Sequence, residues 1–333
     1  MIISRTPFRI SFFGGGTDYP DWYKENGGAV LSTSINKFSY ITARYLPPFF
    51  DYKYRIRYYQ REETNSIEEI QHPSVKQCLK FLKFKDNLDL VHHADLPARA
   101  GLGSSSTFTV GLLQAIYALQ NKMVSKRQLA INAINVEQNL IKESVGSQDQ
   151  TVAAFGGLNK IEFGGRNEFT VKPIPLNPKR IKLLENNLML FFTRFSRTAS
   201  NIASEQIKSI HKRKAELTEI HESVDQSIEI ITSDQSMDDF GRLLGNQWKI
   251  KKKMTSLVTN ADIDEIYSKG IRAGAIGGKL LGAGGGGFML FYVPKDKQEK
   301  VKQDLKDLLY VPFSFDYTGS QIIYYSDTGN PNK

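Results

Sequence analysis

LPARAGLGSSSTFTVGLL, residues 96–113, sets a glycine turn at Gly101 and Gly103 directly before three serines and a run that is apolar nearly all round. Residues 105–120 therefore read as a buried helix. A glycine-rich turn that opens such a helix aims first-turn N–H groups and the positive end of the helix dipole at whatever occupies the turn, so an anion is the natural occupant. The serine hydroxyls can cap the helix, hold phosphate oxygens or ligate Mg²⁺, which prefers hard oxygen ligands. No Lys-Ser/Thr pair follows the last glycine, which excludes a Walker A loop. The dinucleotide fingerprint G-x-G-x-x-G is missing too, as is a preceding βαβ unit. Serine caps and glycine turns explain each residue singly but not the combination.

A second glycine cluster, FFGGGTDYP (12–20), follows a strand-like run near the N-terminus. It reads either as a tight turn with Asp18 as turn former, or as a floor cleared of side chains so that Thr17 and Asp18 reach the hydroxyls of a polar ligand. A third, GAIGGKLLGAGGGGFMLFYV (274–293), interleaves Leu280, Leu281 and Ala283 with glycines and runs straight into a strand. That composition is unlike a flexible linker and predicts backbone passing close to another segment or a ligand.

Two acids lie between these clusters. Glu137 falls on a helix predicted over 126–143 that breaks near Gly146, and Asp149 starts a short helix at 148–155. Each alone is an ordinary solvated helix residue. As a pair, one could ligate a metal while the other accepts a proton, as phosphoryl transfer requires.

The 333 residues exceed what one core usually serves, so two domains are expected. Strands are predicted at 2–12, 28–45, 54–59, 88–96, 187–193, 286–293 and 320–326, and a helix at 72–84. Strands mixed with runs of helices, without βαβ alternation, indicate an α+β protein. Three prolines in KPIPLNPKR (172–180) mark the boundary, dividing the chain into 1–178 and 179–333. No apolar run approaches the roughly 18 residues of a membrane span, and with no leader pattern a cytoplasmic location is expected. The single cysteine, Cys78, excludes an internal disulfide and reads as helix packing. A formal charge of +9 could suit nucleic acid, but the basic residues form short clusters, IHKRK (210–214) and IKKK (250–253), that read as solvated helix faces.

Together, PFRISFFGGGTDY (7–19), LPARAGLGSSS (96–106) and GGKLLGAGGGGF (277–288) resemble the kinase superfamily named for galactokinase, homoserine kinase, mevalonate kinase and phosphomevalonate kinase. The resemblance implies an N-terminal ATP-binding domain of the ribosomal-protein-like α+β type and a ferredoxin-like α+β C-terminal domain, with the active site between them. It implies ATP phosphates held at Gly101, Leu102, Gly103, Ser104, Ser105 and Ser106, and Mg²⁺ ligated by Ser105 and Glu137. Asp149 would be the base and Arg9 would stabilise the developing charge. Gly14, Gly15, Gly16, Thr17 and Asp18 would meet the acceptor, with Gly282, Gly284 and Gly285 lining the site from the other domain.

Where galactokinases carry Glu-His after the first glycine of this motif, the chain has Gly15-Gly16. RTPFRISFFGGGTDYP, RAGLGSSSTFTVG and FSRTAS (195–200) look most like the D-glycero-D-manno-heptose 7-phosphate 1-kinases, which serve GDP-heptose and surface polysaccharide synthesis; fucokinase-like enzymes are the nearest rival. The implied partners are a sugar phosphate and ATP, with no nucleic acid and no membrane; the oligomeric state stays open, a homodimer included. Arg197 is a candidate for the acceptor's second phosphate, for the ATP γ-phosphate or for a surface role. His92 and His93 lack a matching ligand set and read as structural. A silent sugar or nucleotide sensor of the same fold is the non-enzyme alternative.

Overall fold

The computed structural model describes residues 1–165, 168–194, 199–326 and 329, so Arg197 lies outside the described residues. The first part of the chain runs β1 (Ile2–Phe13), α1 (Pro20–Asn26), β2 (Gly28–Tyr45), β3 (Tyr54–Arg57), β4 (Arg61–Thr64), α2 (Pro73–Phe81), β5 (Leu88–Ala94) and α3 (Ser104–Leu119). It continues through α4 (Lys126–Asn135), α5 (Gln148–Phe155), β6 (Leu158–Phe163) and β7 (Phe169–Pro173). Next come α6 (Pro178–Asn187), β8 (Leu188–Phe192), α7 (Ala199–Ser209), α8 (Lys214–Thr232), α9 (Asp238–Met254) and α10 (Ala261–Ala273). The last elements are β9 (Gly277–Leu280), β10 (Phe288–Tyr292), α11 (Gln298–Asp304), β11 (Leu309–Tyr310), β12 (Phe315–Asp316) and β13 (Gln321–Tyr325).

Two sheets organise these elements. The larger has the order β13-β1-β2-β5-β3-β4, with β6 and β12 also on β2, and β7 outside β6. The smaller is antiparallel in the order β11-β8-β10-β9. The expected split at 178/179 gives the chain's end to the second unit; in the structure β12 and β13 hydrogen-bond to β2 and β1 of the first. The C-terminal segment crosses back because β1 otherwise leaves an unpaired edge.

Helices α2, α3 and α4 cover the larger sheet, packing Val75, Leu79, Leu112 and Leu129 against Ile41 and Leu90. Cys78 is buried in this core, as its helical neighbours predicted. β1 alternates in burial at its start and is buried on both faces from Thr6 to Phe13. The reason is a second core that joins the two units: Phe8, Ile10, Phe12 and Phe13 pack with Val224, Phe240, Leu244 and Leu290. Phe240 meets Phe12 and Phe13 edge-on at 5.4 and 5.1 Å. A junction this apolar holds the two units in a defined relation around whatever lies between them.

The helix predicted over 126–143 stops being α-helical at Asn135 and continues as a π-helix, Val136–Ile141, ended by Lys142 at φ 64°. Single π-turns insert one residue and rotate the following side chains, often at functional sites. Among the described residues, no helix is long and apolar enough to cross a membrane.

Candidate active site

A cleft of about 360 Å³ opens between the two units, bounded by β1, the 14–18 turn, the start of α3, the 143–149 segment, α9 and the 282–283 loop. Its construction starts at α3. The N-cap, Gly103, is left-handed at φ 75° and no side chain caps the helix. Ser104, which could have done so, instead accepts the Arg99 N–H at 2.9 Å. Ser104, Ser105 and Ser106 line the cleft, leaving first-turn N–H groups there without a side-chain acceptor, which suits a phosphate. Leu102 is fully buried in the core that joins the units and touches no part of the cleft; it contributes its carbonyl to the Arg9 N–H at 3.2 Å.

The first and third glycine clusters meet each other. At Gly101 an added Cβ would stand 2.5 Å from the Leu281 carbonyl oxygen, and at Gly282 one would stand 2.5 Å from Gly101 Cα. The phosphate-loop backbone thus lies directly on the backbone of the other unit, and only glycine permits it. Gly284 and Gly285 turn away from the cleft: Gly285 donates its N–H to the Val258 carbonyl at 2.9 Å, and Gly284 packs on the same residue. Of the three, only Gly282 lines the cleft.

In the 14–18 turn, Gly15 and Gly16 line the cleft while Gly14 closes a turn by accepting the Thr17 N–H at 3.0 Å. Thr17 is completely buried, with its hydroxyl 2.8 Å from the Gly14 carbonyl and accepting the Ala29 N–H at 3.1 Å. Thr17, expected to meet an acceptor, has its hydroxyl enclosed between the turn and β2. Asp18 does face the cleft. Its Oδ1 accepts the Gly16 N–H at 2.9 Å, and burial pushes its carboxyl above the usual carboxylate range against that bond. Gly146 makes room for it, since a Cβ there would lie 1.8 Å from Asp18 Oδ2.

Arg9, 4% exposed, grips Asp149 bidentately, Nε to Oδ1 at 2.7 Å and Nη2 to Oδ2 at 2.8 Å, and donates Nη1 to the Gly101 carbonyl at 2.9 Å. Three segments distant in sequence meet in that one side chain. Glu137 is fully buried behind α3. Its Oε2 accepts the Ser106 hydroxyl at 2.7 Å and the Gln150 amide; the Thr109 hydroxyl also lies against the carboxylate, and Oε1 makes no well-formed hydrogen bond among the described residues. Burial raises its carboxyl to about 7, with Glu143 adding to the rise. Ser105, expected beside Glu137, is exposed and its hydroxyl sits against Glu143. The helix begins one residue earlier than predicted and its register turns Ser106, not Ser105, toward Glu137.

An orphaned buried carboxylate oxygen beside a hydroxyl fits a hard divalent cation such as Mg²⁺, which takes one or two carboxylates and completes its shell with water and phosphate. Among the described residues no group of three or more His, Cys, Asp or Glu is arranged to hold a metal by itself.

Two lysines in the cleft escaped sequence reasoning. Lys279, 4% exposed, donates to the Ser11 carbonyl at 3.2 Å, the Phe12 carbonyl at 2.8 Å and Gln247 Oε1 at 3.0 Å, tying β9 to β1. A lysine interrupting an otherwise buried apolar strand was the signal. Lys251 lies in the IKKK run that reads as a solvated face; it is half-buried, lines the cleft and donates to the Gly282 carbonyl. Burial, then Arg9, lower its ammonium to about 8.

The chain matches the model of the GHMP kinases N terminal domain over residues 73–157 and that of the GHMP kinases C terminal over residues 218–311. It is 30% identical to a D-glycero-alpha-D-manno-heptose 7-phosphate kinase of Campylobacter jejuni, over 96% of this chain and 97% of that protein. It is 25% identical to an L-fucokinase/L-fucose-1-P guanylyltransferase of Bacteroides fragilis, over 91% of this chain and 35% of that protein. In fold it is similar to a D-glycero-D-manno-heptose 1-phosphate kinase from Bacteroides thetaiotaomicron, at TM-score 0.80 and 23% identity, covering 98% of this chain and all of the other.

Proposed function

This chain belongs to the GHMP kinase family, and on that premise we propose that it transfers the γ-phosphoryl group of ATP to the anomeric hydroxyl of D-glycero-D-manno-heptose 7-phosphate. The product would be the 1,7-bisphosphate, used for GDP-heptose and surface polysaccharide synthesis. The single observation that carries the phosphotransfer reading is the Arg9–Asp149 pair set beside the uncapped start of α3. It puts a carboxylate base, a guanidinium and phosphate-binding amides in one cleft. The choice of acceptor is supported by the heptose 7-phosphate kinase relative, which aligns along nearly its whole length.

In this reading the amides of Ser104 to Ser106 hold the ATP phosphates by charge-dipole attraction, and Asp18 holds acceptor hydroxyls. The acceptor oxygen attacks the γ-phosphorus as its proton passes to Asp149, and the bond to the β,γ-bridging oxygen breaks to release ADP. Arg9 keeps Asp149 oriented and offsets charge in the transition state. Glu137 and Ser106 are the residues that would hold Mg²⁺, whose charge neutralises phosphate oxygens when bound. We assign residues 1–178, completed by β12 and β13, to the nucleotide-binding half.

ADP release measured across heptose 7-phosphates, hexose phosphates, L-fucose and other free sugars tests the assignment. Fastest turnover of a heptose 7-phosphate is expected. L-fucose as the best acceptor would favour the second reading, a fucokinase, which the Bacteroides fragilis relative supports.

A further inference from the structure

Resting on the reading of the acceptor as a phosphorylated sugar, we propose that Lys251 binds the phosphate group the acceptor already carries. Among the described residues, which do not include Arg197, four cations line the cleft: Arg9, Arg99, Lys251 and Lys279. Three are accounted for. Arg9 is committed to Asp149 and the Gly101 carbonyl. The Lys279 ammonium has three donors and three acceptors, all supplied by protein. Arg99 is exposed and its backbone bonds Ser104, which puts it at the end where the helix start receives the nucleotide.

Lys251 differs from all three. Its only hydrogen-bond partner among the described residues is the Gly282 carbonyl, so two of its three donors remain available, and Asp18, across the cleft, offsets its charge without bonding it. A half-buried ammonium without a bonded counter-ion is costly, and an entering anion removes that cost. Burial first and Arg9 second depress this ammonium, and the opposing pull of Asp18 only partly offsets them.

Position completes the argument. Lys251 also borders a small recess shared with Gly15, Gly16, Tyr19 and Gln206, in which neither Ser104 to Ser106 nor Asp149 takes part. It therefore reaches from the Gly282 carbonyl to the side of the cleft formed by Gly15 and Gly16. In the wall of the same cleft, Ser11 Oγ and Gln148 Oε1 are buried with no hydrogen-bond partner among the described residues. Those oxygens suit sugar hydroxyls, with the remote phosphate beyond them.

The experiment compares kcat/KM for a heptose 7-phosphate with that for the same sugar lacking the phosphate, in wild type, Lys251→Met and Lys251→Arg. The wild type should prefer the phosphorylated acceptor. Lys251→Met should cut that preference at least 30-fold through the acceptor KM, with a smaller change in the KM for ATP, and Lys251→Arg should retain most of it. A preference that survives in Lys251→Met overturns the Lys251 assignment and leaves the acceptor reading standing. Equal losses in kcat for both sugars also overturn it, placing Lys251 on the transferring group instead. A wild type without any preference overturns the acceptor reading and the Lys251 assignment with it. If Lys251→Met melts below the assay temperature, Lys251→Gln, which keeps a donor for the Gly282 carbonyl, carries the same comparison.

Discussion

The Arg9 guanidinium and the Asp149 carboxylate, 140 positions apart in sequence, form a two-point bridge with both bonds under 3 Å. Bidentate pairing fixes the plane of the carboxylate as well as its position, and each oxygen keeps a lone pair for a proton. Asp149→Asn preserves shape but cannot take that proton. Turnover should fall roughly 10²-fold or more with the KM for ATP little changed. Steady-state ADP release checks this, and near-normal turnover would remove Asp149 from the role of base.

The pairing of Glu137 with Ser106 separates two neighbouring serines experimentally. Ser106→Ala should raise the Mg²⁺ concentration needed for half-maximal activity by roughly 10-fold, whereas Ser105→Ala should change it much less. Titration of Mg²⁺ at saturating ATP measures both. A larger effect at Ser105 would restore the pairing that the resemblance implied.

Backbone contact between the phosphate loop and the opposite unit makes Gly282 intolerant of even one carbon. With an added Cβ 2.5 Å from Gly101 Cα and φ at 73°, neither partner can yield by rotating a side chain. Gly282→Ala should cost about 1–3 kcal/mol by overpacking, on top of left-handed strain. A lower urea midpoint at unchanged slope is the expected signature, and a wild-type midpoint would show that the loops can separate freely.

His92 supplies a pH dependence distant from the cleft. Its ring meets Phe108 edge-on at 4.9 Å, with Nε2 3.0 Å from Ser39 Oγ. Burial first, then His72 and His93, lower it to about 4, while His72 on the same Phe108 ring is lowered by its own burial against the pull of Glu62. At His92 the unfolded chain therefore binds more protons than the folded one between about pH 4 and 6.5, so the contribution of this residue to stability rises across that window and levels off above it, while the raised Glu137 carboxyl acts in the opposite sense. The contribution of His92 is on the order of 2–3 kcal/mol. His92→Gln should flatten the rise in chemical-denaturation stability over the same range; an unchanged slope would place the titration elsewhere.

Much of this was legible in the sequence where a local rule decides the outcome. The strand at Gly28–Tyr45 and the helix at Gln148–Phe155 fall on the predicted residues, because β-branched content and glycine boundaries act over a few positions. The start of α3 was readable from Gly103 and the serines that follow, whereas the change from α- to π-helix after Asn135 was not, because a π-turn has no periodic signature of its own. Ser105 was implied by the resemblance alone, and the sequence has no signal for which of the neighbouring serines faces Glu137, since one residue of register turns a helical side chain by about 100°.

The sequence by itself determined the α+β class, the three glycine segments and the residue types needed for phosphoryl transfer, since each depends on backbone freedom and chemistry carried within a short stretch. Tertiary structure alone decided that Arg9 meets Asp149, that β12 and β13 return to the first sheet, and that Lys251 faces the cleft rather than water. A lysine in a helical run has the same local pattern on either face. Its direction is set only when α9 docks against α8 and β9, and that docking is governed by apolar burial between segments far apart in the chain.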